Sequence, residues 1–295
     1  MKLLFYVVVC LSVFNLCGLR AEDLVFKEGS EWELVSDGHQ FAEGMAWDEA
    51  GNFYFTDVPR SLLYKIDAKT GERILLDDNT GRANGIAFGP DGRLYGCARG
   101  ASRIYAWNPD TWGKVPVAVG PASNDIAILD DGTVFFTDPG DNNVWRIDGK
   151  SGELTKAADI PWMPNGLSLS LDQKTLLVAE FNSGRVHGFP INSSGKLRGS
   201  SKPAYRMGMP SNGLGRLDGM QPLKDGRLMI GTALGMQVAP PAGVEDSTDL
   251  IVVPSPDGRP RCNYARLSPD GQWIYAAFAK DILRRRVVDG FGEKK

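Results

Sequence analysis

Asn84-Gly85-Ile86-Ala87-Phe88-Gly89-Pro90-Asp91-Gly92-Arg93-Leu94-Tyr95-Gly96-Cys97-Ala98 reads as one unit of a longer pattern. An Asn-Gly pair opens an apolar strand, Pro-Asp-Gly turns the chain, and a second apolar strand returns. Asp-Gly between apolar runs is a strong hairpin signal, because glycine accepts the positive φ of a tight turn. Five more segments fit the same template: Glu43-Gly44-Met45-Ala46-Trp47, Asn124-Asp125-Ile126-Ala127-Ile128, Asn165-Gly166-Leu167-Ser168-Leu169, Asp218-Gly219-Met220-Gln221-Pro222 and Asn263-Tyr264-Ala265-Arg266-Leu267. Their first residues lie 41, 40, 41, 53 and 45 residues apart in chain order. Most carry the turn as well, as in Asp130-Asp131-Gly132, Lys224-Asp225-Gly226 and Pro269-Asp270-Gly271.

A repeat of about 40–45 residues holding four short strands is the mark of a propeller blade. The expected fold is all-β: a six-bladed β-propeller with four-stranded antiparallel blades, filling residues 22–295. Third and fourth strands are visible in blade one as Ser61–Ile66 and Arg73–Leu76, and in blade three as Asn143–Ile147 and Glu153–Thr155. Blade six has only three strands after Asn263. The unclaimed strand Glu31-Trp32-Glu33-Leu34-Val35 is expected to supply its outer strand and close the ring, hiding edges that would otherwise be open. The 53-residue spacing leaves an insertion over residues 192–216, an outer loop or a lid.

Composition agrees with this reading. Glycine, 35 of 295 residues, exceeds the usual share of about 7% without a collagen period, as a turn-dense chain requires. The formal charge of −3 lacks the basic surplus of a general nucleic-acid binder. Lys2, an apolar run over Leu3–Leu16 and Arg20-Ala21 before Glu22-Asp23 read as a signal peptide over residues 1–21. The run is too short for a comfortable membrane span. The expected location is therefore outside the cytoplasm, periplasmic or secreted, with no span in the mature chain. Cys97 and Cys262 then remain, in blades that are not neighbours, and are expected as free buried thiols.

The repeat also does chemical work. The first strand of each blade lines the axis, so equivalent positions form a ring: Glu43, Asn84, Asn124, Asn165, Asp218 and Asn263. Six oxygen-bearing side chains, two of them acidic, suit one hard divalent cation, Ca²⁺ before Zn²⁺, Mn²⁺ or Mg²⁺. The competing reading is a set of turn caps. Second strands end on the same face 14 or 15 residues later, at Asp57, Asp138 and Glu180, with Arg99 just past that place in blade two. Asp57, Asp138 and Asn263 are candidates for the surroundings of the ring, and Arg99 for a substrate contact.

The ordered set of motifs resembles the gluconolactonase / senescence-marker-protein (regucalcin-like) family. It comprises Phe41-Ala42-Glu43-Gly44 with Phe55-Thr56-Asp57, Asn124-Asp125 with Phe136-Thr137-Asp138-Pro139, Pro164-Asn165-Gly166, Leu217-Asp218-Gly219 and Cys262-Asn263. The resemblance implies metal ligands at Glu43, Asn165 and Asp218, and a substrate or metal contact at Asn124. It also implies a divalent-cation-dependent hydrolase of lactones, some members acting on organophosphate esters. One departure stands out: the family's substrate-contacting Arg, two residues before this Asn, is Ala122 here. Asp218 is the expected catalytic base, activating water against a carbonyl polarised by the cation.

Other chemistries find no support. There is no Gly-x-Ser-x-Gly, His-Glu-x-x-His or Cys-x-x-Cys. His39 and His187 read as surface or strand-edge residues. Arg284-Arg285-Arg286 alternates across a strand, which fits a solvated face better than a nucleic-acid patch. The expected partner is a small lactone or ester, met by a monomer or weak oligomer. The alternative is a non-catalytic propeller that binds a sugar, peptide or protein, with the cation as a structural plug.

Overall fold

The computed structural model describes residues 21–243 and 249–294. The leader expected over residues 1–21 lies outside the described residues except for Ala21. Among the described residues, twenty-four strands form six separate four-stranded antiparallel sheets. Their innermost strands are Ala42–Trp47, Ala83–Phe88, Ile126–Ile128, Pro164–Leu169, Met220–Pro222 and Tyr264–Leu267. The six-bladed propeller is thus as expected. Glu33–Ser36 pairs with Asp281–Arg286, giving blade six its outer strand and closing the ring.

Local chemistry explains the hairpins. In the first turn of five blades an Asp side chain accepts a hydrogen bond from the backbone N–H two residues on: Asp91 from Arg93, Asp131 from Thr133, Asp172 from Lys174, Asp225 from Arg227 and Asp270 from Gln272. Such Asx turns define the reversal through local hydrogen bonds alone.

The core does not sit inside a blade but between blades. Each sheet is covered on both faces by its neighbours, so central strands such as Phe53–Asp57, Val134–Asp138 and Leu228–Thr232 are buried throughout rather than alternating. One apolar cluster joins Ala46, Tyr54 and Leu63 of blade one to Ile86, Leu94 and Trp107 of blade two. Others join blades three and four through Phe135 and Val178, and blades six and one through Ile282 and Phe55. Val25 and Phe26, ahead of the first strand, are buried against blades five and six.

The insertion resolves into three parts. Residues 191–201 turn on one face, held by the Asn192 side chain. Lys202–Arg206 is the outer strand of blade four, and residues 207–217 cross the opposite face towards Asp218. Cys97 and Cys262 are buried and free. Among the described residues, no helix is long and apolar enough to cross a membrane.

Candidate functional site

The six ring residues come together at one mouth of the axial channel, all of them buried. Backbone contacts trace the circle. Gly85 N–H donates to Asn124 O, Gly219 N–H donates to Asn263 O, and the Asn263 amide donates to Ala42 O at 2.6 Å. Gly44 and Gly166 lie so close to the next blade that a Cβ there would strike Asn84 O and Asp218 O. Glycine after the ring residue is therefore what lets the blades approach closely enough for their oxygens to converge.

The ring is electrostatically tense. Burial raises the Glu43 carboxyl well above the ordinary range, and the negative charge of Asp218 raises it further. Burial lifts Asp218 to about 7, against the pull of Arg261. Asn165 Oδ1 is buried with no hydrogen-bond partner. Glu43 receives only a long bond from Gly44 N–H at 3.3 Å. Among the described residues, no three His, Cys, Asp or Glu side chains form a metal-binding group. A cation here would rest on two carboxylates and amide oxygens. That donor set fits a hard ion: it offers oxygens only, one of them orphaned, and two like charges whose repulsion a dication relieves.

Other sequence candidates take distinct places. Asn263 is fully engaged with backbone, since its Oδ1 also accepts from Ala279 N–H, so it staples blade six to blade one. Asp57 is fully buried and accepts from Gln40 and Phe41 N–H, which holds the approach to Glu43. Asp138 accepts from Gly140 N–H through one oxygen, while the other is buried without a partner. Burial raises the Asp138 carboxyl above its ordinary range, against a weak opposing pull from Arg99, which sits exposed in the short turn Arg99–Ala101 outside the ring. The histidines are not at the surface. His39 is buried, hydrogen-bonded to Ser36 Oγ at 2.8 Å and packed on Phe55; His187 is buried on Glu180 at 2.9 Å and stacked on Trp162. Carboxylate partners and aromatic faces make that burial affordable. The arginine run is consumed by the outer edge, with Arg284 on Glu33 and Arg285 on Glu22.

Two groups escaped the sequence reading. Arg261 Nη1 lies 3.1 Å from Asp218 Oδ2, with its guanidinium over Phe41 and Phe181. It stands two residues before Asn263, the register at which the other blades carry Phe41, Arg82, Ala122, Met163 and Arg216. That register was the available signal. Asp125 occupies a position held by glycine in four blades, and its Oδ1 lies against Gly85 of blade two. Its oxygens accept from Ile126 and Leu167 N–H, and burial lifts it to about 6. The innermost strands run from this mouth to the opposite one. There a cavity of about 430 Å³ is lined by Trp47, Phe88, Leu171, Gln221 and Arg266.

Residues 41–263, three quarters of the sequence, match the model of the SMP-30/gluconolactonase/LRE-like region. The chain belongs to this family. A search of curated proteins returns no significant match. Among solved structures, a gluconolactonase from Xanthomonas campestris aligns with TM-score 0.75 at 20% identity, over 89% of this chain and 91% of that one. Regucalcin from Agrobacterium tumefaciens, described as calcium-binding, gives 0.71 at 14%, over 90% and 97%. Virginiamycin B lyase from Staphylococcus aureus gives 0.62 at 14%, over 89% and 100%. At these identities the likeness establishes the fold alone.

Proposed function

We propose that this family member hydrolyses lactones, with one divalent cation held by Glu43, Asn165 and Asp218. The observation that carries the reading is Asn165 Oδ1, an orphaned amide oxygen buried in a ring with two repelling carboxylates. Leaving such an acceptor unpaired costs about 1–3 kcal/mol, a cost that a ligand removes. The oxygen-only donor set favours Ca²⁺, then Mn²⁺ or Mg²⁺, with Zn²⁺ behind them. When bound, the cation supplies Lewis-acid polarisation of the lactone carbonyl.

Asp218 is the base. Burial lifts its carboxyl to about 7 in the cation-free site; a dication on it would hold it ionised, able to accept a proton at neutral pH. It takes a proton from water as the water oxygen bonds to the carbonyl carbon. The ring C–O bond then breaks, and the departing alkoxide takes the proton. Asn124 positions the substrate, and Asp57 holds the Gln40-Phe41 backbone that leads to Glu43. The family name supports the lactone class, whereas the fold does not choose, since it also houses a lyase. The leader reading places the reaction outside the cytoplasm.

A pH-indicator assay over a panel of lactones and esters, with Ca²⁺ or with chelator, tests this. Chelator-sensitive turnover is expected. A cation-loaded protein inert on the whole panel would instead support a binding propeller. That reading draws on the Arg261 contact, which already engages Asp218.

A further inference from the structure

One charged group at the ring has no part in the hydrolysis described above. Arg261 is only 18% exposed and reaches Asp218 Oδ2 at 3.1 Å. Its guanidinium lies 5.5 Å from the Phe181 ring centre and 5.8 Å from that of Phe41. Aromatic faces hold it by cation–π attraction and keep water off it, which strengthens its charge. Phe181 N–H donates to the carbonyl of Met163, which fixes the backbone that carries this wall.

Charge counting gives this contact a consequence. Glu43 and Asp218 together carry two negative charges when ionised. A dication on them leaves the Arg261 charge unmatched. Asp125 adds a third negative charge that reaches both ring acids, but Arg266 opposes it, so three acids, two arginines and a dication still leave one positive charge over. A largely enclosed cation left without a counter-charge is costly. With the cation absent, Arg261 is satisfied by Asp218. With it present, Arg261 needs another anion.

We infer that Arg261 and its aromatic walls form a binding site for a carboxylate monoanion with an apolar portion, and that Arg261 competes with the divalent cation for Asp218. This rests on the cation reading above. A planar guanidinium can grip a carboxylate through two N–H groups while remaining stacked, which a lysine cannot do. Cation and carboxylate then favour each other's binding, by equal factors in both directions. Opening a neutral lactone delivers such a carboxylate as product. A lactone that already bears one would bring it as substrate.

Calorimetric titration of Ca²⁺ into the full protein, with and without 4-hydroxybutyrate, tests the inference; the neutral 4-hydroxybutyramide serves as control. In the wild type the carboxylate should tighten Ca²⁺ on the order of five- to tenfold, and the amide should not. In Arg261→Met, Ca²⁺ alone should bind tighter by a similar factor, and the carboxylate effect should vanish. Arg261→Lys should retain the competition and lose most of the coupling. Melting curves check that the variants are folded. Kinetics assign the source. If Arg261→Met raises KM only for a carboxymethyl-substituted butyrolactone, the carboxylate belongs to substrate. If it relieves only inhibition by 4-hydroxybutyrate, it belongs to product. The inference is overturned if Arg261→Met leaves Ca²⁺ affinity and its carboxylate dependence unchanged, if the amide works as well as the acid, or if Ca²⁺ binds neither protein. Binding with these couplings but no turnover on any lactone would overturn the hydrolase reading alone.

Discussion

Asp218 and Gly166 illustrate two ways in which a single atom decides the site. Asp218→Asn keeps the shape of the side chain and removes the proposed base. Turnover should fall about 10²–10⁴-fold, the usual worth of a positioned acid–base group, with the melting transition retained. Lactonase activity within tenfold of wild type would refute Asp218 as the base. Gly166→Ala adds one methyl against the carbonyl of Asp218. That neighbour is backbone and cannot rotate away, so the blades must part. A loss of about 1–3 kcal/mol in denaturant titrations is expected, together with weaker Ca²⁺ binding. The acids and glycines were legible in the sequence because they occupy a repeated position. Arg261 was not. Arginine occurs at its register in three blades, as Arg82, Arg216 and Arg261, and the register does not say which one meets a carboxylate. The Phe181 wall comes from the end of a second strand, which carries no motif of its own.

At the scale of the element, neighbouring blades are clasped by polar groups as well as by the apolar clusters between them. Asp77, at the end of the outer strand of blade one, accepts from Trp107 Nε1–H at 2.7 Å and from Lys114 Nζ at 2.6 Å, both in blade two. Burial alone would raise its pKa, but bonds from Lys114, Trp107 and the Asn79 N–H outweigh burial and hold it below the ordinary value. A carboxyl whose pKa is depressed in the folded state adds stability that is present above its unfolded value, about 3.9, and lost as pH falls through the folded one. The penalty of Asp77→Asn should therefore be largest near pH 7 and shrink in titrations run below about pH 4. A penalty independent of pH would mean that the clasp is not ionic. Strand order and blade closure were legible because hairpin punctuation is local. The fate of residues 192–216 was not, since a spacing of 53 residues does not say on which face the extra chain lies. Tertiary pairing placed part of it at each face and a strand between them.

For the molecule as a whole, the ring must close, and closure depends on a segment remote in sequence from the strands it completes. Glu33–Ser36 covers the edge of Asp281–Arg286, and ahead of it Phe26 bridges to Val287. Val25 and Phe26 are 0% and 2% exposed, and Trp32 packs edge-on against both Phe26 and Phe278. Burying each such side chain contributes about 1.5–3 kcal/mol. Val25 and Phe26 together therefore contribute about 3–6 kcal/mol, a sum that reaches only the lower end of the 5–15 kcal/mol that stabilises a typical protein. A propeller also cannot lose one edge quietly, because every blade is packed between two others and the ring oxygens meet only if all six hold their angle. Phe26→Ala should cost about 3–5 kcal/mol while leaving the ring chemistry intact. Deleting residues 22–36 should go further, leaving an open strand edge that recruits other copies of itself. Size-exclusion chromatography and near-ultraviolet circular dichroism of that deletion should report aggregate and no fixed aromatic environment. A monomer with a sharp melting transition and undiminished Ca²⁺ binding would mean instead that five complete blades and a three-stranded sixth suffice to hold the site.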